Sequence, residues 1–213
     1  MPGYYVHFAS CNPKCLKNRS FICGVETPDI LKKYYKLYGL DGTREKYNKL
    51  KQIDMPDFKK FEERLKQKEE RGNNLGMHYG VSDSPNILLF WNSLSKIDKK
   101  NPFYIGYLWH LLTDLYMYSN LDIKNKLVKK NIEFELSTLH KDWDKTNSKI
   151  RDTYKEVKLP QEVIDLNVVS YIENEDTNYI NWDELKGLID NLRKFNPLEE
   201  DIDDIIKVLV KKV

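Results

Sequence analysis

The amino-acid sequence predicts an all-α protein, a bundle of roughly seven to nine helices. Three observations carry that expectation. Apolar residues recur at helical spacing along most of the chain, and alternating apolar and polar runs long enough for strands are nearly absent. Between the periodic stretches stand Pro, Gly and Asn, which mark where one helix stops and the next begins.

Taken in order, Pro28 to Tyr38 (PDILKKYYKLY) has helical apolar spacing and stops near Gly39. The charged stretch from Thr43 to Arg71 breaks at Pro56. Its second half, DFKKFEERLKQKEER, carries the i to i+4 charge pairs of a solvated helix and ends in Gly72 to Gly76. Ser84-Pro85 opens NILLFWNSL, with Pro85 suited to a first helical turn. Asn101-Pro102 opens the central helix FYIGYLWHLLTDLYMY in the same way. Asn131 to about Tyr154 forms another long helix, with Ile132, Leu136, Leu139 and Trp143 as its apolar stripe. Pro160 to Ile172, Trp182 to Phe195 and Leu198 to Val210 supply three more. A composition shift near Leu159-Pro160 separates a helical core over residues 1–158 from a C-terminal helical extension over 159–213.

With 35 basic and 33 acidic residues the net charge is +2, so no global field draws nucleic acid or an acidic membrane. Lys32, Lys33 and Lys36 beside Tyr34 and Tyr35 are the nearest approach to a nucleic-acid signature. Cys11, Cys15 and Cys23, spaced C-x3-C-x7-C, fit neither a zinc ribbon nor a C-x-x-C redox motif and read as reduced cysteines. The N-terminus lacks the pattern of a signal peptide, and no apolar stretch approaches the roughly 20 residues that cross a bilayer. A soluble, cytoplasmic protein is expected.

The stretch with the most chemical content is GYLWHLLTDLYMYSN, Gly106 to Asn120. It sets His110 and Asp114 one turn apart, on one face of an otherwise apolar helix. Burying an imidazole and a carboxylate together is costly unless something satisfies both, and a divalent metal is an economical partner. Three other histidines remain. His7 sits among aromatics in YYVHFAS, His78 lies between Gly76 and Gly80, and His140 heads a second H-x3-D ending at Asp144. Asp29 follows Pro28, where the local reading is a charge favouring a helix N-terminus.

The aromatic-flanked His7, the Pro28-Asp29 pair, the Gly-bracketed His78 and G-Y-L-x-H-L-L-x-D, in that order, resemble the zinc-dependent phospholipase C superfamily, which also contains single-strand-specific nucleases. The resemblance covers roughly residues 1–145 and is sparse outside the motifs. It implies an all-α bundle of that type, in which His78, His110 and Asp114 hold one zinc ion with Asp29 beside it as ligand or general base. It further implies that His7 and the second oxygen of Asp114 hold another ion, and that His140 and Asp144 match the element that holds a third. The chain departs from the pattern where a further histidine is expected after the central motif, since the nearest polar residue is Asn120. Two ions are therefore the expectation, with manganese or iron also suited to such ligands.

A binuclear site with ions roughly 3.5–4 Å apart acidifies a water and neutralises charge in a phosphoryl displacement. The expected activity is metal-dependent hydrolysis of a phosphate ester, either a phosphodiester or a phospholipid. Tyr4, Tyr5, Phe8, Tyr79, Phe90, Trp91 and Trp109 would line a lipid groove or, at helical spacing, build the core. HD-type phosphohydrolases are disfavoured because no His-Asp dipeptide occurs. The alternative is a non-catalytic helical binding protein with a structural metal, binding through Thr43 to Arg71, or with a degenerate calcium loop. Glu173 to Glu184 has an EF-hand outline but lacks the turn glycine, and Asn181 with Glu184 reads instead as a capping box that starts the next helix.

Overall fold

The computed structural model describes residues 3–51, 54–69, 76–121, 136–167, 169–171, 177 and 179–210, without the side chains at 136–138 and 140. Its α-helices are α1 (Tyr4–Ala9), α2 (Arg19–Leu50), α3 (Lys59–Lys66), α4 (Ile87–Ser93), α5 (Pro102–Asn120), α6 (Leu136–Thr153), α7 (Gln161–Asp165), α8 (Trp182–Leu192) and α9 (Ile202–Val210). The β-structure among the described residues is one antiparallel pair, β1 (Gly80–Val81) with β2 (Ser84–Pro85). The all-α expectation holds. No helix among the described residues is long and apolar enough to cross a membrane. The chain divides into two compact units, one of Cys15–Asp114 and one of Met1–Lys14 with Leu115–Val213.

In the unit Cys15–Asp114, α2 begins well before Pro28. Asn18 caps it by accepting from the Phe21 amide at 3.0 Å, and Pro28 lies inside the helix. An internal proline forfeits a backbone bond at a cost of about 3 kcal/mol. Burial of Phe21, Val25, Ile30 and Leu31 on the same helix offsets that loss. The Thr27 hydroxyl also donates to the Cys23 carbonyl at 2.5 Å. Asp29 is therefore a mid-helix residue, and its reading as a helix-start charge is corrected. The expected stop near Gly39 is a kink, at φ +65° and ψ −170°, inside one long helix.

Two further expectations change in this unit. Pro85 belongs to β2, and α4 starts after it, with the Asn86 side chain accepting from the Leu89 amide. The charged helix ends at Lys66, because the chain turns to carry Glu69 inward rather than onto a solvated face. An aromatic cluster fills the core. Tyr47 packs on Phe58 and Phe61, Phe61 on Phe103 and Tyr107, and Phe90 stacks on Tyr107 with centroids 4.8 Å apart.

Helices α2 and α5 meet through glycine. A Cβ on Gly24 would stand 2.0 Å from the Phe103 carbonyl oxygen, and one on Gly106 would stand 2.1 Å from that of Phe21. No other residue allows the two backbones so close. That approach brings the Val25 carbonyl and Asp29 of α2 against His110 of α5.

The other unit holds α1 and α6 to α9, with residues 159–213 supplying the last three of these helices. Arg193, after α8, donates to the Ala9 carbonyl at 2.7 Å, and Asn12 donates to the Arg193 carbonyl at 3.0 Å, tying the end of α1 to α8. Helix α9 buries Ile202, Ile205, Ile206 and Leu209 on one face. It starts later than expected, and α7 ends at Asp165, just before Asn167 turns the chain at φ +47°. The start of the long helix expected from Asn131, and much of the EF-hand-like stretch, lie outside the described residues.

Asn181 acts as the cap of α8, its side-chain oxygen accepting from the amides of Asp183 and Glu184 at 2.9 and 3.0 Å. Asn181→Ala is expected to cost about 1 kcal/mol, a fall in Tm of roughly 2–4 °C by calorimetry. Of the seven aromatics flagged in the sequence, Tyr5, Phe8, Tyr79, Phe90, Trp91 and Trp109 are buried and Tyr4 is half-buried, as core residues are. The three cysteines are buried.

Candidate metal centre

The centre is assembled within Cys15–Asp114 from three pieces of chain. Helix α5 supplies His110 and Asp114, with Nε2 to Oδ2 at 3.4 Å. Helix α2 supplies Asp29. The turn from Gly76 to Gly80 supplies His78, whose Nε2 lies 3.1 Å from His110 Nε2, 3.4 Å from Asp114 Oδ2 and 3.5 Å from Asp29 Oδ1. Asp29 Oδ2 stands 4.0 Å from His110 Nε2. All four side chains are buried, Asp29 being the most exposed at 7 %.

The His78 turn is held in place from several sides. The Tyr107 hydroxyl donates to the Met77 carbonyl, and Arg64 donates to that of Gly76 while lying over the Tyr79 ring. Gly76 adopts φ +84°, and Glu69 Cγ sits 2.7 Å from where its Cβ would be. That explains the glycine before His78: a side chain there would strain the turn and expel Glu69.

The remaining ring nitrogens decide the tautomers. His110 Nδ1 is 2.7 Å from the Val25 carbonyl, and His78 Nδ1 is 2.7 Å from the Glu69 carboxylate. A carbonyl and an ionised carboxylate only accept, so each Nδ1 carries the proton. When both rings are neutral, each turns an Nε2 lone pair toward the other at 3.1 Å. Two lone pairs at that distance repel unless a proton or a metal ion lies between them. Asp29 Oδ1 is buried and accepts no hydrogen bond among the described residues, which adds a further acceptor wanting a positive partner.

Charge and spacing point to the same kind of partner. With Asp29 and Asp114 as carboxylates and both imidazoles neutral, the cluster carries −2, which one divalent ion balances. Glu69 has its own countercharge in Lys32, at 2.6 Å. Ligand atoms about 2.0–2.1 Å from a tetrahedral zinc lie about 3.3 Å apart, close to the 3.1–3.5 Å separations around His78 Nε2. Asp29, His78 and His110 offer ligand atoms all within 4.8 Å of one another. Burial disfavours the His110 imidazolium, but the Asp114 and Asp29 carboxylates and the Val25 carbonyl outweigh it and raise the pKa. The cluster attracts positive charge. Burial likewise opposes ionisation of Glu69, yet His78 and Lys32 hold its pKa at about 2.

Of the seven site residues expected from sequence, Asp29, His78, His110 and Asp114 come together here. His7 is buried on α1, in the other unit. His140 lies on α6 with its side chain outside the described residues. Asp144 is half-buried on the same helix and joins no group of metal-competent side chains among the described residues. The buried carboxylate of that helix is Asp142, which accepts from the Tyr179 amide at 2.6 Å. Sequence reasoning missed Glu69 and the Val25 carbonyl. Nothing in EERLKQKEER separates Glu69 from its acidic neighbours, and a carbonyl leaves no trace in residue type.

No family model matches the chain, and neither a curated protein nor a solved structure matches it.

Proposed function

We propose that the protein is a metal-dependent hydrolase of phosphate esters, with one divalent ion held by His78, His110 and Asp114 and with Asp29 beside it. The observation that carries the reading is the pair of Nε2 atoms 3.1 Å apart, which both offer lone pairs inward when the rings are neutral, Glu69 and Val25 holding the Nδ1 protons. The order of the motifs around these residues supports an all-α scaffold of the zinc-dependent phospholipase C type. Zinc suits two imidazoles and carboxylates, and manganese and iron are also compatible.

A divalent ion at this position supplies Lewis-acid stabilisation of a phosphoryl oxygen and a water acidic enough to ionise near neutral pH. The residues do the rest. His78 and His110 are fixed donors, since neither ring can turn without losing its Nδ1 partner. Asp29 Oδ1 accepts no hydrogen bond among the described residues and belongs to the most exposed of the four side chains, so it orients the attacking water and takes its proton.

One observation favours a second reading, a non-catalytic helical protein with a structural metal. The candidate ligands are all 7 % exposed or less, and closed four-ligand shells are typical of structural zinc. Zinc-loaded protein assayed on bis(p-nitrophenyl) phosphate and a short-chain phosphatidylcholine separates the two. The hydrolase reading expects turnover of at least one, with Asp29→Asn keeping its metal and losing about 100-fold or more in kcat. Bound zinc with no turnover of either ester supports the structural reading.

A further inference from the structure

We propose that Glu69 is the positioning residue of this centre, the group that fixes which nitrogen of His78 faces the metal. The inference rests on the metal reading of the site. Glu69 uses both carboxylate oxygens. Oε1 accepts from His78 Nδ1 at 2.7 Å and from the His78 amide at 3.2 Å, so ring and backbone are held by one atom. Oε2 accepts from Lys32 Nζ at 2.6 Å.

Lys32 lies three residues after Asp29 on α2, on the same helical face. Contacts thus run from Lys32 to Glu69 to His78 to Asp29, and back along one turn of α2. The opposite tautomer of His78 would aim a Nδ1 lone pair at a carboxylate and place a proton on Nε2, 3.1 Å from His110 Nε2. Glu69 forbids it. A carboxylate on the far nitrogen of a metal-binding imidazole fixes ring orientation and makes the near nitrogen a better donor. Lys32 neutralises that carboxylate, so the charge left for the ion is that of Asp29 and Asp114.

The sequence around Glu69 is built for this placement. The helix that would have carried it to the surface stops at Lys66, and Gly76 leaves open the volume that Glu69 Cγ fills. The Glu69 side chain is only 15 % exposed despite its setting in a charged run.

The test is the zinc affinity of wild type, Glu69→Ala and Glu69→Gln, by competition with a chelating dye, alongside proton NMR of the His78 Nδ1–H in zinc-loaded protein. Glu69→Ala is expected to bind zinc about 10- to 100-fold more weakly and to lose the protected downfield Nδ1 proton. Glu69→Gln keeps an acceptor oxygen and should recover most of the affinity, with the Nδ1 proton shifted upfield. A general loss of packing would not single out that resonance or be rescued by the amide. Wild-type zinc binding with equal affinity in Glu69→Ala overturns the inference alone, whereas no zinc binding by wild type overturns the reading of the site and the inference with it. Should Glu69→Ala fail to fold, Glu69→Gln decides, an unshifted Nδ1 proton counting against the role.

Discussion

Metal-free protein is expected to melt roughly 8–16 °C below protein saturated with zinc. The magnitude follows from linkage. An ion that binds the folded chain and not the unfolded one stabilises by about 4.1 kcal/mol at a free concentration of 1,000 Kd. Each kcal/mol moves Tm by roughly 2–4 °C in a chain of this size. The physical source is the arrangement around His78 Nε2: two ring nitrogens 3.1 Å apart, with two carboxylates at 3.4 and 3.5 Å, are held together by the fold and gain a shared partner in a divalent ion. Calorimetry after chelation and dialysis, with zinc returned in steps, measures it. Calcium or magnesium, which prefer all-oxygen ligands, should restore little of the shift.

Gly106→Ala should be among the most damaging small substitutions in the unit Cys15–Asp114, lowering stability by about 3 kcal/mol, a fall in Tm of roughly 6–12 °C. Helix propensity works the other way, favouring alanine by about 1 kcal/mol. Sterics win because the new Cβ would lie 2.1 Å from the Phe21 carbonyl oxygen and 2.9 Å from its carbon, both backbone atoms that no rotamer change can move. Helices α2 and α5 must separate instead. Separation stretches the 2.7 Å bond from His110 Nδ1 to the Val25 carbonyl, so zinc affinity should fall together with stability. Gly187→Ala is the matched control, since Gly187 lies inside α8 with nothing within 4 Å of its would-be Cβ. That variant should be stabilised by up to about 1 kcal/mol. Urea denaturation of both variants checks the pair of opposite signs.

What sequence could reveal of this fold divides along physical lines. The central helix was legible from Asn101 and Pro102, because an asparagine cap and a proline at the first turn are local signals; Asn101 accepts from the Phe103 amide at 2.8 Å. Pro28 misled for the same local reason. Its cost inside α2 is offset by tertiary burial, which residue type alone does not display. The short helix carrying His7 went unread, six residues being too few to show a period. The crossing at Gly24 and Gly106 was invisible, since a glycine in a helix looks like a defect until the neighbouring backbone is seen.

The site shows the same split. His110 and Asp114 were readable as an i, i+4 pair, because both belong to one apolar helix. His78 was marked by its flanking glycines, and Gly76 has a steric reason to be there in Glu69. Glu69 itself, by sequence, belongs to a solvated charge run. Its role arises only when the chain turns inward after Lys66 and meets Lys32 and His78.

The central claim is that His78, His110 and Asp114, with Asp29 beside them, hold a divalent ion. Elemental analysis of untagged protein purified without added metal, compared with folded His110→Ala, tests it most directly. At least one zinc, manganese or iron ion per wild-type chain, with occupancy sharply reduced in His110→Ala, is the expected result. Wild-type protein with no transition metal, and none acquired on dialysis against zinc, manganese or iron, would contradict the account.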